Sequence, residues 1–122
     1  MRALVVDDSR AMRRILKGMM QECGFEVTEA AHGREALERL QETDHVDVVL
    51  VDWNMPEMNG LEFVQAVRAQ PAYGGLPLLM VTSETEMEQV TTALAAGANE
   101  YVMKPFTRSI IEDKLQLLGL SG

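Results

Sequence analysis

Five side chains stand where apolar runs stop: Asp7 and Asp8 after Ala3-Leu4-Val5-Val6, Asp52 after Val48-Val49-Leu50-Val51, Thr82 after Leu78-Leu79-Met80-Val81, and Lys104 after Tyr101-Val102-Met103. Brought into one crevice, three carboxylates would raise one another's pKa unless a cation or hydrogen bonds neutralised them. A hard divalent cation meets that need. Mg²⁺ takes oxygen ligands, keeps several waters and uses one or two carboxylates plus a phosphate oxygen, and Mn²⁺ accepts the same donors. Thr82 would add a hydroxyl donor and Lys104 a point positive charge suited to phosphate. A carboxylate nucleophile, a metal, a hydroxyl and an ammonium form a phosphoryl-transfer set with Asp52 as acceptor.

The elements that must position these groups alternate in type. Ala3 to Asp7 reads as a buried strand; Ser9 then caps a helix carrying Met12, Ile15, Leu16, Met19 and Cys23 on its inner face and ended by Gly24. Phe25 to Ala30 alternates apolar and polar, the period of a strand with one wet face, which places it at a sheet edge. Gly33 leads into a helix over Arg34 to Gln41 with Ala36, Leu37 and Leu40 inward, Thr43 to His45 connect, and the stretch from Val48 is a fully apolar strand ending at Asp52. Turn residues Asn54, Pro56, Asn59 and Gly60 follow, then a helix marked by Leu61, Val64 and Val67, ended within Gln70 to Gly75. Pro77 to Thr82 is a fourth strand. A helix from about Glu84 to Ala96 turns Met87, Val90 and Leu94 inward before Gly97, Glu100 to Lys104 is a fifth strand, and Ile111, Leu115 and Leu118 stripe a last helix from about Arg108.

Strands alternating with helices through short loops imply right-handed crossovers and a doubly wound parallel sheet, an α/β architecture. With the alternating second strand at an edge and the first and third as neighbours, the order is 2-1-3-4-5, the flavodoxin-like order, whose switch point lies between strands one and three. Asp7, Asp8 and Asp52 converge there.

The chain has 122 residues, 47% hydrophobic and 25% charged, which fits one domain spanning 1–122 with one core and no attached effector domain. A net charge of -8 argues against nucleic acid or an anionic membrane as the main partner. The lone Cys23 excludes an intramolecular disulfide and reads as a packed thiol. The first apolar piece stops at Asp7-Asp8, too short for a signal peptide or membrane span, so a soluble, cytoplasmic protein is expected. Of the nine methionines most read as core filler, with Met55 and Met58 exposed in their loop; His32 and His45 read as ordinary surface residues.

The pair Asp7-Asp8, the segment DWNMPEMNG opened by Asp52, Thr82 in VTSE and Lys104 in YVMKPFT together resemble the receiver domain of bacterial two-component response regulators. The likeness spans essentially the whole chain, and two of these segments are similar to those of CheY-like single-domain chemotaxis members. It implies a phosphoryl group passed from a phosphohistidine on a histidine kinase to Asp52. Asp8, Asp52 and the backbone carbonyl of Asn54 would hold Mg²⁺, with Asp7 acting through water. Lys104 and Thr82 would contact phosphoryl oxygens, Tyr101 would be an aromatic switch that turns inward as Thr82 moves, and the Lys104-Pro105 bond would be cis. Asn54 and Glu84 would tune the lifetime of the acyl phosphate. The protein would be a monomer whose altered face, formed by the fourth helix, fifth strand and fifth helix, meets a separate target: a flagellar motor switch, given features including Lys114, or a histidine phosphotransferase in a phosphorelay.

Each residue has a plainer reading. Asp7 and Asp8 can be a solvated strand end favoured by the dipole of the helix after Ser9, Lys104 a surface lysine, Thr82 a strand-end residue, Tyr101 edge packing, and Glu86 and Glu88 favourable charges opening a helix. Two other classes share features. A flavodoxin-like cofactor binder should offer hydroxyls and amides where Asp7-Asp8 stand. An aspartate-dependent phosphohydrolase needs a cap for which there is no room.

Overall fold

In the computed structural model, which describes residues 1–43, 45–83 and 87–120, strands β1 (Arg2–Val6), β2 (Glu26–Ala30), β3 (Val48–Asp52), β4 (Leu78–Thr82) and β5 (Glu100–Met103) alternate with helices α1 (Arg10–Glu22), α2 (Gly33–Glu42), α3 (Gly60–Arg68), α4 (Met87–Ala96) and α5 (Arg108–Leu117). The five strands form one parallel sheet in the order β2-β1-β3-β4-β5, as the apolar runs and the edge pattern of β2 require. Every residue of β3 and β4 is buried, and β2 is mostly half-buried.

Strand alternation sorts the core onto two faces. Leu4, Val6, Val49, Val51, Leu78 and Met80 meet Ala36 and Leu40 of α2, Phe63, Val64 and Val67 of α3 and Ala93 of α4. Ala3, Val5, Val48, Leu50, Leu79 and Val81 meet Leu16 and Met20 of α1 and Ile111 and Leu115 of α5. Helices therefore cover both faces, and the carboxyl ends of the strands open on one rim.

Local chemistry fixes where the helices start. Ser9, Asn59 and Thr107 accept the N–H groups of Met12, Glu62 and Ile110, and Glu62 reaches back to the Asn59 N–H to complete a capping box. The imidazole of His32 caps α2 by accepting the Glu35 N–H at 3.2 Å, so His32 is a half-buried structural residue and not the plain surface residue its position in a connector suggested. His45 is exposed as expected and pairs with Asp47 at 2.8 Å.

Other expectations from spacing need correction. Ile15 is 49% exposed and Leu94 38% exposed, since α1 turns Leu16 and Met20 inward and α4 packs through Val90 and Ala93. The side chain of Met87 lies outside the described residues. Met55 is buried and Met58 half-buried, because the loop after β3 folds back onto the core. Among the described residues no helix is long and apolar enough to cross a membrane.

Candidate phosphoryl-transfer site

β1 and β3 are neighbours, so their carboxyl ends bring Asp7, Asp8 and Asp52 together, with one carboxylate oxygen from each within 4.8 Å of the others. Asp7 and Asp52 are almost wholly buried, whereas Asp8 is exposed. The Lys104 ammonium reaches across from the end of β5 to 3.2 Å from Asp52 Oδ1 and 4.0 Å from Asp7 Oδ2. Thr82 is fully buried at the end of β4, and its hydroxyl donates to the Ser83 carbonyl at 3.3 Å among its contacts.

Backbone bonds hold this rim. Asp7 N–H donates to the Ala30 carbonyl, Trp53 N–H to Val81 and Lys104 N–H to Thr82, extending the ladder one residue beyond each pairing. Gly60 N–H returns to the Trp53 carbonyl at 2.9 Å, closing the loop over residues 53–60 against the end of β3. A side chain at Gly60 would crowd this approach, since a Cβ would lie 3.1 Å from Trp53 Cα and push the Met80 methyl, 2.7 Å away, aside. The Lys104-Pro105 peptide is cis, as the resemblance implied.

Burial pushes the Asp7 carboxyl above the ordinary aspartate range, and the charge of Asp8 adds to this; the Ser9 N–H, Lys104 and Arg13 oppose it without overcoming it. Its Oδ1 accepts the Ser9 N–H at 2.8 Å, but its Oδ2 is buried with no hydrogen-bond partner among the described residues. A buried carboxylate oxygen left this way costs free energy unless something cationic meets it, and Lys104 at 4.0 Å is beyond hydrogen-bond reach. An oxygen-only donor set of this charge fits Mg²⁺ or Mn²⁺ and not a thiophilic metal.

The expected residues Asp7, Asp8, Asp52, Thr82 and Lys104 thus share one rim. Asn54 lies exposed in the adjoining loop, and Tyr101 sits half-buried one strand away, against the core. Glu84 and Glu86 lie outside the described residues. Two contributors carried no signal in strand ends. Arg13 donates from α1 to the Asp7 carbonyl at 2.7 Å and approaches Glu29 at 3.6 Å, bracing the acidic loop. Glu100 binds both the Tyr101 N–H and Lys114.

Residues 3–116 match the family model described as "Response regulator receiver domain". The chain belongs to that family. Within it the chain is CheY-like: it is 50% identical over 117 residues to a chemotaxis protein CheY homolog of Campylobacter jejuni, covering 95% of this chain and 90% of the relative. The structure of Vibrio cholerae chemotaxis protein CheY4 superposes with a TM-score of 0.88 at 42% identity, covering 96% of this chain and 97% of that one. A receiver domain of a Pseudomonas aeruginosa sensor histidine kinase, described with a magnesium ion coordinated in its active-site cleft, superposes with a TM-score of 0.85 at 28% identity over 97% of both chains. The chain is therefore a two-component signalling receiver with an acidic cluster able to hold a metal ion.

Proposed function

We propose that the chain is a phosphorylation-activated switch whose acceptor is Asp52. The observation that carries this reading is the buried Asp52 carboxylate at a strand end, 3.2 Å from Lys104 and within 4.8 Å of oxygens from Asp7 and Asp8. An Asp52 oxygen attacks the phosphorus of a phosphohistidine on a histidine kinase, the P–N bond breaks, and the imidazole leaves with the electron pair. Lys104 and the Thr82 hydroxyl receive phosphoryl oxygens as charge builds on them.

Asp8, Asp52 and the Asn54 carbonyl would hold Mg²⁺, with Asp7 reaching it through water. The bound ion would neutralise the carboxylates and the incoming phosphoryl oxygens. The fit rests on the all-oxygen donors and the buried Asp7 Oδ2, and the magnesium described for the Pseudomonas aeruginosa relative agrees with it.

Output passes, in this reading, through the surface of α4, β5 and α5 to a separate protein, with the chain acting as a monomer and Tyr101 coupling Thr82 to that surface. The chemotaxis names of its relatives favour a motor-switch target. Incubation with acetyl phosphate and Mg²⁺ should label Asp52, and Asp52→Asn should abolish the label; labelling that survives would assign the wrong aspartate. Replacing Asn54 and Glu84 together with alanine should change the decay rate of the phosphorylated form severalfold, and an unaltered rate would remove both from that role.

A further inference from the structure

Glu100 and Lys114 make a structure around Tyr101 that strand and helix formation do not require. Tyr101 lies on β5, an edge strand, with its ring half-buried against the core on the side of α2, α3 and α4. Lys114 belongs to α5, whose buried residues pack on the opposite face of the sheet. Its ammonium nevertheless reaches the Tyr101 ring, 4.9 Å from the centroid, and donates to Glu100 Oε1 at 3.0 Å. The same Glu100 oxygen accepts the Tyr101 N–H at 3.1 Å. One carboxylate oxygen therefore holds both the backbone of Tyr101 and the cation against its ring, and only 23% and 24% of the Glu100 and Lys114 side chains are exposed.

We propose that Glu100 and Lys114 form a latch that sets how readily the Tyr101 ring leaves this position, making Glu100 a positioning residue for the switch. This rests on the reading of Asp52 as phosphoacceptor and Tyr101 as the moving ring. The ring position accompanies a direct Lys104–Asp52 ion pair, which a phosphoryl group on Asp52 would have to displace. Turning inward from this half-buried position breaks the cation–π contact with Lys114 while the Glu100–Lys114 pair persists, so the latch opposes activation. By linkage, whatever opposes the activated arrangement weakens every ligand that favours it by the same factor. A part-exposed cation–π contact amounts to a factor of about two to five in such an equilibrium.

The test uses the full chain with Mg²⁺ and beryllofluoride, a phosphoryl mimic, titrated against Trp53 fluorescence, and in parallel the NMR signals of ring-labelled tyrosine. Only Tyr73 and Tyr101 are present, so Tyr73→Phe assigns the spectrum. Glu100→Gln and Lys114→Met should each raise beryllofluoride affinity about two- to fivefold and shift the Tyr101 ring signals before any ligand is added. Lys114→Arg, which keeps the cation, should stay near wild type, and the Glu100→Gln/Lys114→Met pair should exceed neither single change by much, as members of one unit. Unchanged affinity and ring signals in both single variants would overturn the latch while leaving the acceptor reading intact. Failure of the wild-type chain to bind beryllofluoride at all would overturn the acceptor reading and the latch with it.

Discussion

Asp7 shows how a single residue divides between stability and function. Its carboxyl is held above the ordinary aspartate range by burial, so the folded state binds its proton more tightly than the unfolded chain does. Its contribution to stability is consequently complete below the unfolded value and is lost as pH rises through the folded one. Above that range the ionised Asp7 is a cost, on the scale of about 1–3 kcal/mol for a buried oxygen such as its Oδ2 that accepts no hydrogen bond among the described residues. Asp7→Asn should stabilise the metal-free protein by an amount of that order near pH 7, and the gain should vanish in acid below the ordinary aspartate pKa; urea unfolding at several pH values measures both. A gain that grew in acid would reverse the assignment. Glu57 carries a smaller burden, since its φ of 66° puts a non-glycine residue in the left-handed region within the acceptor loop. Glu57→Asn should raise stability by about 0.5–1 kcal/mol, because asparagine tolerates that region and gives up less unfolded-state advantage than glycine would. A matching Glu57→Gln control should change nothing, as it keeps the strained backbone and removes only the charge.

Among the elements, the join between α3 and the α4–β5 turn depends on one guanidinium. Arg68, at the end of α3, donates to the carbonyls of Gly97 (3.0 Å), Tyr73 (2.6 Å) and Leu76 (2.7 Å) and to Asn99 Oδ1 (2.8 Å). Asn99 Oδ1 also accepts the Leu78 N–H, so this fork ties the start of β4 to the turn before β5. Burial lowers the Arg68 pKa, and the guanidinium stays charged at any working pH. Arg68→Lys keeps the charge but lacks the planar fork, and should cost about 2–3 kcal/mol in urea unfolding through the carbonyls it strands. A loss under about 0.5 kcal/mol would mean that water replaces the fork at little cost. Gly97 belongs to the same joint: its φ of 124° and a 2.8 Å approach of Arg68 Cγ to any Cβ exclude other residues. The sequence displayed the strands, their order and the rim residues because apolar runs ending in Asp, Asp, Thr and Lys are local signals. It hid this joint, the His32 cap and the latch at Glu100, where each partner is distant along the chain and chemically ordinary in isolation. It also misled on α4 and α1, where spacing favours large residues: Ala93 fills the contact under α4 while Leu94 faces out, and Ile15 turns outward beside Leu16.

At the scale of the whole molecule, a net charge of -8 acts on the fold and on the site in opposite senses. Mutual repulsion among surface carboxylates opposes compactness, while the same field concentrates cations near the rim where Asp7, Asp8 and Asp52 meet. Mg²⁺ that binds only the folded chain should stabilise it by RT ln(1 + [Mg²⁺]/Kd), about 1.4 kcal/mol at tenfold over Kd and about 2.7 kcal/mol at a hundredfold. Asp8→Asn, which removes one proposed ligand, should forfeit most of that gain, and Asp7→Asn should forfeit less if Asp7 acts through water. Sodium chloride separates the two roles of the charge. Screening relieves the repulsion and should raise the stability of the metal-free chain, yet it weakens long-range attraction and should lower the apparent Mg²⁺ affinity. Thermal unfolding across a salt series, with and without Mg²⁺, should therefore show the metal-free curve rising and the metal-dependent increment shrinking. Parallel movement of both would mean that the ion acts as general ionic strength and not at the acidic rim, because only a bound ion loses affinity under the screening that relieves the rest of the molecule.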